Sequence, residues 1–335
     1  MSQSITSKTA KLSRRNFNQA LALAPFLAAL PSGFARAQSY PTKPIRFILP
    51  FGAGGVADAT SRLVMEALGQ KIGQPIIIEN MPGAGGISAA RAALQGGKDG
   101  YSLALFSNGT AISVPLFKSL PFDPVKEFVP VSSIGFFECL LTVSAGSPHK
   151  TLADFVKAAK EKPGTMNVCT IVAGSTQHLT AELFVSMAGL DVVHVPTKTS
   201  GDAVVSLMRG DVDMVVEFLP PLRAALDDKK IRALAWTGPK PSPARPDIPS
   251  ASDTVPAFES VSWNAMYAPA GTPKEAIDVL NKGLQAVLAE EGLRKKALDL
   301  GITLNASTPE EIQKRLLADI EKWRGVIQKA KIPQR

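Results

Sequence analysis

Apolar and polar positions in residues 38–335 alternate between short runs and longer periodic stretches. Ile45–Leu49, Ile76–Glu79 and Ser102–Phe106 are short apolar runs of the kind that form buried strands. Helical spacing separates them, in Val56–Ile72 (clearest over Ala59–Leu68) and in Ile87–Leu94. A second series begins at Thr151–Lys160, where Leu152, Phe155, Val156 and Ala159 share one helix face. It continues with a strand at Met166–Thr170, a helix at Thr176–Ala188, and a strand at Val192–Val195. A helix at Gly201–Met208 and a strand at Val212–Glu217 follow. Ile231–Trp236 is the last strand, after a short helix that follows Pro220-Pro221. Thr237–Pro256 is rich in Pro, Ser and Asp and predicts a long ordered loop or a linker. Val261–Ala268 is again strand-like. Helices are expected at Pro273–Leu288, Glu291–Leu300 and Pro309–Ile332, with a short strand at Ile302–Leu304.

Such alternation predicts an α/β fold, with parallel sheet covered by helices on both faces. Two series imply two doubly wound lobes. The chain leaves the first through Leu140–Ser144 and returns through Ser262–Tyr267, so two strands cross between them. The expected division is 38–139 plus 263–335 for lobe 1 and 140–262 for lobe 2.

The N-terminus alters the charge picture. Lys8, Lys11, Arg14, Arg15 and Arg36 lie in residues 1–37, which hold no acid. Ser13-Arg14-Arg15-Asn16-Phe17 is a twin-arginine pattern, Ala20–Leu30 is an apolar core, and Ala35-Arg36-Ala37 is a small-residue cleavage site. Together they predict an export signal of twin-arginine type removed after Ala37, and a periplasmic protein. The signal carries five of the eight net positive charges, leaving +3 on the other 298 residues. The high pI therefore does not argue for a nucleic-acid partner, and there is no basic run with interleaved aromatics. Cys139 and Cys169 are the only cysteines. In an oxidising compartment they are free to pair, although two buried thiols is the simpler expectation.

The strongest chemical signal is the turn after the first strand. Gly52-Ala53-Gly54-Gly55 opens a helix, so unpaired N–H groups and the positive helix end converge on one spot. Gly52 to Ala57 also fits the loose dinucleotide fingerprint G-x-G-x-x-A, and Glu79 ends the next strand. That acid lies 27 residues after Gly52, beyond the usual spacing of about 20. An exported oxidoreductase using this turn is the enzymatic alternative. A second small-residue turn, Val172-Ala173-Gly174-Ser175-Thr176, precedes the helix at Thr176 and would cap it or bind a carboxylate. Ser107-Asn108-Gly109-Thr110 falls at the same carboxyl end of the strands, where open α/β sheets bind ligands. A small anion held between the lobes follows.

Hydrolytic and metal chemistry lack support. The histidines are His149, His178 and His194, with no His-Glu-x-x-His, no Cys-x-x-Cys and no Gly-x-Ser-x-Gly. His178, in the first turn of its helix beside Ser175, is expected to be a neutral hydrogen-bonding group, and His194 a structural one. Asp58 either serves the helix dipole or faces the cleft; the cleft is preferred. Gly83–Gly86 is read as shaping the turn into the second helix.

In these residues the chain resembles the Bug family, the extracytoplasmic solute receptors of tripartite tricarboxylate transporters. The likeness runs through Tyr40-Pro41-Thr42-Lys43-Pro44-Ile45-Arg46, Pro50-Phe51-Gly52-Ala53-Gly54-Gly55-Val56-Ala57-Asp58 and Glu79-Asn80-Met81-Pro82-Gly83-Ala84-Gly85-Gly86. It continues in Asp99-Gly100-Tyr101, Leu120-Pro121-Phe122-Asp123-Pro124, His178-Leu179-Thr180-Ala181-Glu182-Leu183-Phe184, His194-Val195-Pro196 and Ala268-Pro269-Ala270-Gly271-Thr272-Pro273. The resemblance implies a periplasmic-binding-protein fold of type II and a receptor that does no chemistry. Such a receptor is a monomer without cofactor or metal, closes on a small organic carboxylate and presents it to an integral membrane permease; a signalling partner is the other option. It also implies the ligand-binding residues: Phe51, Gly52, Gly54, Gly55 and Asp58; Ser107, Asn108 and Gly109; and, from the other lobe, Ala173, Gly174, Ser175, Thr176, Thr197 and Glu217. The chain departs from the family pattern at Gly52-Ala53, at Thr197 and at Glu217-Phe218, which leaves the identity of the carboxylate open.

Overall fold

The computed structural model describes residues 40–171 and 174–335. The expected export signal and Ala173 lie outside the described residues. Residues 40–335 form one compact unit, built on ten strands. β1 (Ile45–Leu49) is flanked in parallel by β2 (Ile76–Asn80) and β3 (Ser102–Ser107). β4 (Phe128–Ser144) is a 17-residue strand. Its first part runs antiparallel to β9 (Val261–Pro269) and touches the short β10 (Thr303–Leu304). Its last part, from Cys139 on, pairs with β7 (Met214–Phe218) and β8 (Ile231–Trp236). β5 (Asn167–Ile171) lies between β6 (Val193–Thr197) and β7, parallel to both. Two lobes thus share one continuous strand.

Helices cover both faces. In chain order they are α1 (Val56–Ile72), α2 (Ile87–Gln95), α3 (Asn108–Leu116), α4 (Leu152–Glu161), α5 (Thr176–Ala188), α6 (Ser200–Arg209), α7 (Leu219–Asp227), α8 (Lys274–Leu288), α9 (Glu291–Asp299) and α10 (Pro309–Lys329). Each lobe buries apolar side chains on both sides of its sheet, as parallel sheets do. In the first lobe Phe47 and Leu49 face α1 and α8, while Ile48 and Phe106 face α2 and α10. In the second, Val168 and Val216 pack with Phe155 and Phe184, while Cys169 and Val215 pack with Leu207 and Leu222. Both cysteines are buried and free. No helix among the described residues is long and apolar enough to cross a membrane.

The crossing point is tied by one residue. The Cys139 N–H donates to the Thr237 hydroxyl oxygen (2.9 Å), and the Thr237 N–H donates to the Cys139 carbonyl (2.9 Å). The same Thr237 hydroxyl donates to the Ser260 carbonyl (2.8 Å), and the Ser260 N–H donates to the Thr237 carbonyl (2.7 Å). The outgoing strand and the returning chain therefore hang from one threonine. Glu138, beside this knot, is pushed up to about 7 by burial, its own backbone hydrogen bond opposing and the Glu259 charge adding.

Candidate functional site

A cavity of about 880 Å³ opens between the lobes. Its wall includes the leading residues of five helices: Gly55 and Val56 of α1, Ser107 and Gly109 of α3, Ser175 and Thr176 of α5, Thr199 and Ser200 of α6, and Phe218 and Pro220 of α7. Each helix start leaves N–H groups without intrahelical acceptors and carries a partial positive charge. All five sit at the carboxyl ends of strands, because each of these helices is the next element after a parallel strand.

Two turns dominate the cavity. In the first, Gly54 adopts φ +82° and its N–H donates to Asp58 Oδ2 at 2.9 Å. Asp58 is 4% exposed and also accepts from Arg62 Nε (3.0 Å) and Asn80 Nδ2 (3.0 Å). Burial works against its charge, but the bonds from Arg62, Gly54 and Asn80 hold its carboxyl below the usual range. The expectation that Asp58 faces the cleft is therefore corrected. It braces the turn from behind and is not part of the cavity wall. With Gly54 engaged, the N–H groups that open α1 are those of Val56 and Ala57, both at the wall.

In the second turn the pattern repeats with a different side chain. The Gly174 N–H donates to His178 Nδ1 at 3.2 Å, and Ser175 caps α5 by accepting from the His178 N–H. Accepting at Nδ1 assigns the imidazole proton to Nε2, which lies 3.4 Å from Glu182 Oε1. His194 Nε2 approaches the same oxygen at 3.5 Å. Burial lowers the His194 imidazole, against the pull of Glu182. The ligating atoms of His178, Glu182 and His194 fall within 4.8 Å of one another. A cation there would need the Nε2 lone pair of His178, where the proton sits. The trio thus braces the turn.

Glu217 is the single carboxylate side chain among the described residues of the wall, and it is 1% exposed. Burial raises its carboxyl, while the Phe218 N–H, Ser200 hydroxyl and Gln177 amide donate to it at 2.7 Å each and oppose that rise. Lys198 and Arg335 supply positive side chains. Arg335 is held beside the end of α3: its N–H donates to the Leu116 carbonyl and its main-chain oxygen accepts from the Lys118 N–H, both at 2.9 Å. The remaining wall is largely apolar, with Phe51, Ile112, Leu116, Phe117, Phe137 and Phe218.

Of the expected ligand residues, Phe51, Gly52, Gly54, Gly55, Ser107, Gly109, Gly174, Ser175, Thr176 and Glu217 line the cavity. Asn108 and Thr197 do not. Asn108 turns inward, its Oδ1 accepting from Trp323 Nε1 at 2.7 Å, and the Thr197 hydroxyl is spent on the Thr170 and Thr199 carbonyls. Gly83–Gly86 shapes a short turn before α2, as expected, and also reaches the wall. Sequence reasoning missed Gln177, Lys198, Ser262, Asn264 and Arg335. The alternation Ser262-Trp263-Asn264 in an otherwise apolar strand was the available signal for two of them, since it puts both polar side chains on one face. The dinucleotide reading loses its ribose acid: Glu79 is held by Arg46 through two hydrogen bonds of 2.7 and 2.8 Å.

The chain is similar to known proteins in sequence and in fold. Residues 60–332 match the sequence model of the tripartite tricarboxylate transporter family receptor. Protein BugT of Bordetella pertussis is 30% identical over 294 residues, spanning 87% of this chain and 90% of BugT. The solved structure of R. palustris Rpa4515 with adipate superposes with a TM-score of 0.79 at 30% identity, over 88% of this chain and 99% of that one. The periplasmic binding protein BugD superposes with a TM-score of 0.76 at 26% identity, over 88% of this chain and all of the other.

Proposed function

Because this chain belongs to the tripartite tricarboxylate transporter receptor family, we propose that it is a periplasmic receptor that closes on a small organic carboxylate and delivers it to an integral membrane permease. It is a binding protein of the two-lobed type, as its relatives are, and not an enzyme. The observation that carries the reading is the convergence of five helix N-termini on one cavity whose carboxylate, Glu217, is already satisfied. An anion entering there meets donors and positive helix ends, with Lys198 and Arg335 nearby. The apolar wall suits a carboxylate with a hydrocarbon or aromatic body, in keeping with the adipate of Rpa4515. The export signal in residues 1–37 supports the compartment. The receptor acts as a monomer, and without a cofactor.

A thermal-shift screen of the purified protein against linear, branched and aromatic carboxylates tests this. The expected result is stabilisation by one class, about 2.7 kcal/mol at a hundredfold excess over Kd. No shift with any carboxylate, together with stabilisation by NAD or a flavin, would return the oxidoreductase alternative.

A further inference from the structure

Asn264 lies in the middle of β9, opposite Ser107 of β3 on one side and Gly135 of β4 on the other. It is 1% exposed, and among the described residues neither Nδ2 nor Oδ1 has a hydrogen-bond partner. A buried amide with both ends unmet is rare, because each missing bond leaves the full desolvation cost in place. Its neighbours make their recorded bonds elsewhere. Trp263 points to the other face and gives its Nε1–H to Asp319, while the Ser107 hydroxyl accepts from the Gly109 N–H. Yet Asn264 and Ser262 both line the cavity. Asn264, with its unmet amide, is therefore a residue of the cavity wall, in the strand that runs beside the crossing of the lobes.

We propose that Asn264 reads the body of the ligand: it selects a carboxylate that also bears a neutral group with both a donor and an acceptor, a hydroxyl or a primary carboxamide. This rests on the receptor reading above. The reasoning is one of complementarity. A carboxylate oxygen would satisfy Nδ2 and leave Oδ1 unmet, and a hydrocarbon would satisfy neither. A hydroxyl or an amide supplies the donor that Oδ1 lacks and the acceptor that Nδ2 lacks. Sites built to hydrogen-bond a group discriminate strongly against analogues without it, since the buried protein atoms are then stranded. The anionic end is left to the helix termini, so charge and identity are read at different places.

Isothermal titration against matched carboxylates tests the proposal. The set carries hydrogen, hydroxyl or carboxamide at one position, on a six-carbon chain and on a benzene ring. The wild-type protein is expected to bind at least one hydroxyl or carboxamide member about tenfold or more tighter than its unsubstituted parent. In Asn264→Leu that preference is expected to fall below about twofold, while the ligand-free variant melts no lower than wild type, since an apolar side chain of similar size removes the unmet polar atoms. Equal affinity for substituted and unsubstituted members in wild type overturns the proposal without any variant. A preference that survives Asn264→Leu, or a ligand-free variant that melts well below wild type, overturns it too and makes Asn264 structural or water-bridged. Absence of binding to every member and to a wider carboxylate panel overturns the receptor reading instead.

Discussion

The two cavity turns use the same local device, a glycine N–H tied to the side chain four residues on, yet they face different things. Gly54 is tied to Asp58 and Gly174 to His178. At the first turn, side chains placed on Gly52, Gly54 or Gly55 would meet no atom within 4 Å. The backbone there borders open cavity. At the second, a Cβ on Gly174 would come within 2.7 Å of Leu116 Cδ2, which belongs to α3 of the other lobe, and within 3.8 Å of the Arg335 guanidinium. The first turn therefore leaves room beside its backbone, and the second is packed against the other lobe. The braces differ accordingly. Asp58 is a carboxylate fixed by Arg62 and Asn80, whereas His178 accepts the Gly174 N–H through one imidazole nitrogen.

Substitution at Gly55 should break the comparison most visibly. Its φ of −80° and ψ of 173° suit a β-branched residue, so Gly55→Val is expected to fold with little change in melting temperature. The side chain would occupy the space before α1, and carboxylate affinity is expected to fall about a hundredfold by calorimetry. A folded Gly55→Val with unchanged affinity would remove the first turn from the site. Gly174→Ala should show the opposite profile. The left-handed φ of +84° costs an alanine about 1–2 kcal/mol, and the contact with Leu116 adds to it. Denaturant unfolding should show that loss, with Leu116→Ala in the same chain returning less than its own cost would suggest. Strict additivity of the two substitutions would show that the lobes do not meet there.

A smaller effect separates the braces by pH. The Asp58 carboxyl is held below its unfolded value, so its contribution is present above the unfolded pKa of about 3.9 and disappears as pH falls through the lower folded value. Asp58→Asn is expected to cost about 1 kcal/mol at neutral pH and to flatten the acid limb of the stability curve below about pH 4. An acid limb unchanged in the variant would mean that the first turn does not depend on the carboxylate charge.

Much of the fold was legible from periodicity. The bounds of α1, α5 and β8 were readable because each presents a clean apolar pattern between glycine, serine or proline signals. The helix α3 was not. Seven of its nine residues are buried, so it has no polar face to set a period, and Pro115 sits within it. The length of β4 was hidden too, since Pro130, Ser132, Ser133 and Gly135 interrupt its apolar run at two register shifts, and only its end at Leu140–Ser144 looked like a strand. At the site, backbone turns were visible as glycine clusters. The direction of Asp58 was not, because an acid in a first helical turn has the same sequence signature whether it turns to the ligand or back to a glycine N–H. Lys198 and Arg335 carried no signal, since only the chain's path brings them to the cavity.

The Thr237 knot has a mechanical consequence. Four bonds of 2.7–2.9 Å hold both connections between the lobes to one residue. Sliding one lobe past the other by a residue would break all four together, whereas turning the lobes about that point leaves them intact. For the closure proposed above, Thr237 would be a pin and not a track, with travel smallest at the pin and growing toward the rim of the cavity. The polar pair Ser262 and Asn264 follows two and four residues after Ser260, the partner of the pin, while the glycine turns lie on the separate arms. On the proposed reading, a ligand held by Asn264 would touch the part nearest the pin, and its carboxylate end would meet the turns on the two arms.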